Sequence, residues 1–253
     1  MKRSLVVVIL FCIIAHTSQC QLWKQKKMEA VVGLGTTQFF GDIGGYTKTK
    51  DILGLRTISF MQTRYNVNMS LRYRILADLN AKLSLTYGML NATDQRGSNE
   101  SRGFEAKTTI FEPALVCEYF FIKSKLENSY LFSRGGGVNM KNLFSAIELY
   151  AFAGVGGLSY NVKGNDKLVA LGLQNSGFTA VIPAGIGLNL LFKPEYNLGV
   201  ELGGRYSLSD YLDGYSSQYS NSKDVYYLFD FTFTYKIPTG ENGLPKFLSK
   251  KRY

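Results

Sequence analysis

Histidine, the side chain best suited to moving protons near neutral pH, occurs once in this chain, at His16. It lies beside an apolar N-terminal run, Leu5 to Ile14, that follows Lys2 and Arg3. Ser18 and Cys20 place small residues at the minus-three and minus-one positions of a cleavage before Gln21, so residues 1–20 read as a signal peptide that is removed. The run is too short to span a bilayer as a helix. The mature chain is then expected to lack histidine, which excludes Ser-His-Asp and Cys-His catalysis and histidine metal sites. Cleavage leaves Cys117 as its one cysteine, so no internal disulfide can form. Lipidation of Cys20 is the alternative, against which stand Thr17, Ser18 and Gln19 before it.

Carboxylates remain as the other chemical resource, numerous enough to supply the acid and base pair of a hydrolase. Gly154-Val155-Gly156-Gly157 and Gly135 to Gly137 resemble phosphate-binding loops, but neither opens a helix after a strand. What these groups can do depends on the elements that carry them.

The last regular segment, Asp224 to Ile237, alternates with a period of two. Val225, Tyr227, Phe229, Phe231, Phe233, Tyr235 and Ile237 share one face, and Asp230 and Lys236 lie on the other. The same alternation marks strands at Glu29 to Phe40, Asn66 to Leu76, Ala81 to Ala92, Lys107 to Ile122, Leu143 to Tyr160, Gly177 to Phe192 and Asn197 to Leu208. Pro113 inside the fourth predicts a bulge or an imperfect pairing, because proline removes a ladder donor. With 17 Tyr, 17 Phe, 26 Gly and 5 Pro in 253 residues, the composition favours strands and turns.

Eight antiparallel strands suffice to close an up-and-down barrel, which leaves no edges. After the signal no apolar stretch reaches the length of a membrane helix, so any crossing must be made by strands. The connections at 77–80 and 193–196 are short, and those at 93–106, 161–176 and 209–223 are long, as in outer-membrane barrels with periplasmic turns and external loops. Residues 123–142 break the pattern by being long on the short side. The expected fold is an all-β, eight-stranded antiparallel transmembrane barrel over residues 29–237, with a basic N-terminal segment at 21–28 and a basic periplasmic tail at 238–253.

Strand parity sends both signs of charge to the face opposite the aromatic wall: Glu29, Arg72, Arg74, Lys82, Glu112, Glu118, Glu148, Glu201, Arg205, Asp230 and Lys236. A lumen of eight strands is just wide enough for side chains to fill, so these charges are expected to pair across it and to leave no pore. A soluble lipocalin-like barrel, with the bulky face inward and the charges in water, is the rival arrangement.

The formal charge is +10, and removal of Lys2 and Arg3 leaves +8. The periplasmic side collects Lys24, Lys26, Lys27, Lys123, Lys125, Arg134, Lys141, Lys193, Lys246, Lys250, Lys251 and Arg252 against Asp78, Glu127, Glu195 and Glu241. That rim can attract anionic head groups or steer an acidic periplasmic partner. No nucleic acid or cofactor is expected.

Three stretches carry a family resemblance. They are Phe39-Phe40-Gly41-Asp42-Ile43-Gly44-Gly45, the hairpin from Arg72-Tyr73 to Leu85-Thr86-Tyr87-Gly88, and Arg205-Tyr206-Ser207-Leu208-Ser209-Asp210-Tyr211-Leu212-Asp213. Together they resemble the outer-membrane barrel family of Bacteroidetes that contains PorG, a component of the type IX secretion system. The resemblance implies a non-catalytic role beside a periplasmic ring of the lipoprotein PorK and the protein PorN. A surface adhesin or stability barrel, or a membrane enzyme acting on lipid or peptide, are the alternatives.

Overall fold

The computed structural model describes residues 26–44, 62–96, 100–124, 144–193, 195–216, 223–239 and 245. Eight strands close on themselves in sequence order: β1 (Met28–Phe40), β2 (Arg64–Arg74), β3 (Leu79–Thr93), β4 (Glu105–Ile122), β5 (Ile147–Gly164), β6 (Ser176–Lys193), β7 (Tyr196–Ser207) and β8 (Val225–Ile237). Every neighbouring pair is antiparallel, and β1 pairs with β8 from Met28 opposite Ile237 to Phe40 opposite Val225. The fold is an up-and-down barrel of the outer-membrane type, as the alternation predicts.

Both ends of the barrel wall, at Met28 and Ile237, lie at the end that holds the short β2–β3 and β6–β7 turns, called here the turn end. The β4–β5 connection also leaves from the turn end, and the loop end carries the β1–β2, β3–β4, β5–β6 and β7–β8 connections, with a 3-10 turn at Asp94–Arg96 and one short helix, α1 (Asp166–Ala170), capped by the Asn165 side chain.

Burial alternates along each strand and settles which face is which. Leu34, Met69, Leu115, Val155, Ile186 and Phe231 are all exposed by more than half on the outer wall. Arg72, Glu112, Glu118 and Tyr150 are at most 1% exposed inside. A large apolar outer surface around a charged interior is the inverse of a soluble barrel, and it excludes the lipocalin-like arrangement.

The structure corrects several boundaries. The strand expected at Leu143 to Tyr160 starts at Ile147 and continues to Gly164, because Val162 still points inward and Lys163 outward. Residues 161–164 are therefore wall and not loop. The first hairpin turns at Ile75 to Asp78, so β2 ends at Arg74 and β3 begins at Leu79. At Pro113 the structure shows imperfect pairing and no bulge: the β4–β5 ladder lapses at Glu112 and Pro113, while Phe111 opposite Ser159 and Ala114 opposite Gly156 keep one register across the gap. Its side chain points outward, and the ladder absorbs the missing donor without a shift. The register shifts fall elsewhere, at Phe120 to Ile122 and at Leu191 to Lys193, both at the turn end.

The signal peptide expected at residues 1–20, residues 21–25, residues 125–143 and most of the tail lie outside the described residues. Of the tail, Thr239 pairs with Pro245.

Candidate functional site: the lumen and its two ends

Inward glycines make room for the lumen's rings. A Cβ on Gly187 would lie 2.2 Å from the Tyr150 ring, and one on Gly185 or Gly203 would lie 2.7 Å from the tip of Phe152. Glycine in β6 and β7 thus lets two aromatic side chains of β5 cross the lumen. Tyr150 stacks on Phe120 of β4 with centroids 4.7 Å apart.

Around these rings the turn half is ionic. Arg72 Nη1 donates to Glu29 Oε2 at 2.9 Å, and its Nη2 donates to Glu118 Oε1 at 3.1 Å. Arg72 Nε and Glu118 Oε2 meet as an ion contact at 2.5 Å, without hydrogen-bond geometry. Lys82 Nζ lies 2.9 Å from Glu118 and 2.8 Å from Glu201. The Tyr150 hydroxyl donates to Glu201 at 2.6 Å, and Arg74 lies 3.5 Å from Glu29. Three acids and three bases from five strands form one balanced network. The Arg72 guanidinium also sits 5.4 Å from the Tyr150 ring centre, a cation over a π face.

A second, smaller group lies further toward the loops. Arg205 Nε donates to Glu112 at 3.2 Å, and the Tyr226 hydroxyl donates to the other Glu112 oxygen at 2.5 Å. Glu148, Asp230 and Lys236 are buried in the lumen as parity predicts, but none makes an ion pair among the described residues. Lys236 stands in register with Glu29, and Asp230 with Glu201. One expected network is therefore two ion-paired groups and three residues outside them.

The loop half is apolar, which charge parity alone did not indicate. Phe39, Leu90, Ile110, Leu158, Val162 and Leu228 form one buried cluster there, joined by Leu212 from the β7–β8 loop at 0% exposure. Leu212 is held by its backbone. Thr108 Oγ1 donates to its carbonyl at 2.5 Å, and its N–H donates to Asp224 Oδ2 at 2.8 Å. The same loop is tied to the β1–β2 connection by Ile43 N donating to Asp213 Oδ2 at 3.0 Å.

These cap carboxylates are strained by their surroundings. Burial pushes Asp213 up to about 7, helped by Asp42 and Asp210 and opposed by the N–H groups of Ile43 and Tyr215. Burial, then Asp213 itself, raises Asp224 well above the carboxylate range. Beside them Arg102 donates to both oxygens of Asp94, at 2.8 and 2.9 Å, and to the Asp42 carbonyl at 2.9 Å. Gly44, at φ +82°, gives its N–H to Asp94 Oδ1 at 2.9 Å, in a conformation that favours glycine. The cap escaped sequence reasoning because its segments read as polar loops. Phe104 and Leu212, apolar residues inside those loops, were the available signal.

Of the basic rim, Lys26, Lys27, Lys123 and Lys193 are described. Lys123 pairs with Asp78 at 3.0 Å, and Lys193 lies over the Phe192 ring. Lys24, Lys125, Arg134, Lys141, Lys246, Lys250, Lys251 and Arg252 lie outside the described residues. Among the described residues no cluster of three or more His, Cys, Asp or Glu is placed to hold a metal ion.

Solved structures with a similar fold include Neisserial surface protein A, at 10% identity over 83% of this chain and 97% of that one, with a TM-score of 0.44. OprG from Pseudomonas aeruginosa is 10% identical over 85% and 98%, with a TM-score of 0.44. Ail, the attachment invasion locus protein of Yersinia pestis, is 13% identical over 83% and 98%, with a TM-score of 0.39. The fold assignment stands on strand register and burial, independently of these likenesses. No curated protein matches the chain. One family does, over residues 2–242, and this chain belongs to it: the family described as a domain of unknown function, DUF6089.

Proposed function

We propose that this chain is a non-catalytic barrel of the outer membrane that anchors a periplasmic assembly of a protein-export machine of the type IX kind, with its turn end toward the periplasm. The observation that carries the anchoring role is the double filling of the lumen. Ion pairs occupy one half and an apolar cluster the other, so whatever the barrel does, it does through its surfaces. The turn end is flanked by the basic segments of the sequence, which suit an acidic periplasmic partner. The link to secretion rests on the resemblance of the Gly41-to-Gly45 and Ser209-to-Asp213 stretches to the PorG-containing family, and PorK and PorN are the partners it implies.

Cysteines introduced at Lys246 and Phe247 test the reading by crosslinking in intact cells. Capture of a periplasmic lipoprotein or ring protein is expected, and its loss is expected when Lys246, Lys250, Lys251 and Arg252 are neutralised. Capture of lipid alone would remove the anchoring role.

A second reading, a barrel whose outer loops bind a surface ligand, is favoured by the tied cap at the loop end. Deleting residues 209–216 would abolish surface binding and spare secretion if that reading holds.

A further inference from the structure

The outer wall of the barrel is almost free of charge. Apart from Lys193 at the turn end, the outward charged side chains of the eight strands are Glu105 and Lys107 on β4 and Lys163 on β5. All three lie together at the loop end. Lys107 and Lys163 stand directly opposite each other in the ladder. Like charges so placed, with Cβ atoms about 5 Å apart, repel. Neither lysine has an ion pair among the described residues. Glu105, two positions along β4, is engaged by the Gln95 amide at 2.7 Å. Asp166 is exposed on α1 with Lys167 next to it.

The pair sits above an aromatic level. Tyr87, Phe111, Ser159 and Phe178 form one row across β3 to β6, and Phe178 is 75% exposed. Thr109, Asn161 and Ser176 form the next row, and the two lysines come after it. Four residues along a strand tilted by about 40° raise the lysines about 10 Å above the ring level. Long lysine stems turn their ammonium groups back toward the interface, into the head-group layer.

The geometry points to a site for a phosphate-bearing lipid of the outer leaflet, its phosphate bridging Lys107 and Lys163 on the outer wall of β4 and β5 while its chains lie against Phe111 and Phe178. An anion between them turns the repulsion of the pair into attraction. This inference rests on the membrane residence proposed above and not on the identity of any protein partner.

The test uses the full chain inserted into neutral phosphatidylcholine vesicles containing either diphosphorylated lipid A or the same lipid without phosphates. Lipid retained per barrel is counted by native mass spectrometry. The wild type is expected to retain the phosphorylated lipid about thirtyfold better than Lys107→Gln/Lys163→Gln, each lysine contributing about a factor of five. Lys223→Gln, in the β7–β8 connection, serves as the charge control and is expected to match the wild type. In vesicles without the phosphorylated lipid the double variant should be at least as stable as the wild type, because a repulsion has been removed. Equal retention by wild type and double variant, or equal retention of both lipids, overturns the site. A chain that fails to insert overturns the membrane reading along with it, whereas an inserted barrel with no phosphate preference overturns the lipid site alone.

Discussion

The two halves of the lumen are closed by opposite physics. The turn half spends its space on Arg72, Lys82, Glu29, Glu118 and Glu201, groups whose burial is tolerable only because each opposes another. The loop half excludes charge from its packing and uses carboxylates only at the rim, to fasten the backbone of the capping loop. A network of ions is cooperative, since removing one member leaves a buried charge on the others uncompensated. An apolar cluster loses contacts in proportion to what is removed. The difference predicts that the halves respond unequally to substitution, salt and pH.

The largest effect is expected from Glu118→Ala, which takes a carboxylate from both Arg72 and Lys82, leaves three bases facing Glu29 and Glu201 alone, and costs about 3–5 kcal/mol. Adding Lys82→Met should recover part of that loss, because one uncompensated ammonium disappears. Leu228→Ala in the loop half is expected to cost about 2–4 kcal/mol by opening a cavity, with no partner whose removal restores it. Urea titration of folded barrels in vesicles measures all three. If Lys82→Met worsens Glu118→Ala by its full individual cost, the turn half is not a coupled network and the contrast collapses.

A smaller effect concerns pH and belongs to the cap. Asp213 is held near 7 in the closed cap, against 3.8 for an ordinary aspartate. The closed cap therefore binds the proton more tightly than the opened one. Its extra stability is complete below about pH 4 and is lost as pH rises toward about 7, and the raised Asp224 extends the decline further. Hydrogen exchange at the Ile43, Leu212 and Tyr215 amides, corrected for intrinsic rates, should report more frequent opening at pH 8 than at pH 5. Asp213→Asn, uncharged at every pH, should flatten the slope at Ile43. An unaltered slope in that variant would mean that other groups set the dependence.

Alternation in β8 and β2 was enough to read the wall, because a lipid-facing surface demands an apolar residue at every second position. The charged residues of the turn half were legible by the same parity, since Arg72 and Glu118 have nowhere else to go. Parity could not say that Glu148 and Asp230 would stand outside the ion pairs, because pairing depends on reach across the lumen and not on face. Nor could it find the cap. Leu212 is buried through Thr108, more than a hundred residues earlier in the chain, and Asp213 acts on Ile43 from still further away. Such contacts leave no period in the sequence. The extension of β5 to Gly164 was missed because Asn161 and Lys163 point outward above the aromatic row, where polar residues are compatible with a strand.

The smallest effect sharpens what anchors the cap. Leu212 is fixed both by packing, at 0% exposure, and by two hydrogen bonds to its own peptide groups. Thr108→Val keeps the shape of a side chain that is 3% exposed and removes the hydroxyl that serves the Leu212 carbonyl. An acceptor left unpaired in an apolar cluster costs about 1–2 kcal/mol. That cost falls on the capping loop and not on the barrel, because the strand ladder is untouched. Leu212 exchange should therefore quicken about tenfold while the urea midpoint of the whole barrel stays within error. If exchange is unchanged, packing alone seats the loop, and the hydrogen bonds merely follow from it. If the midpoint falls along with the exchange, cap and wall unfold as one unit, and the halves of the lumen are less independent than their chemistry suggests.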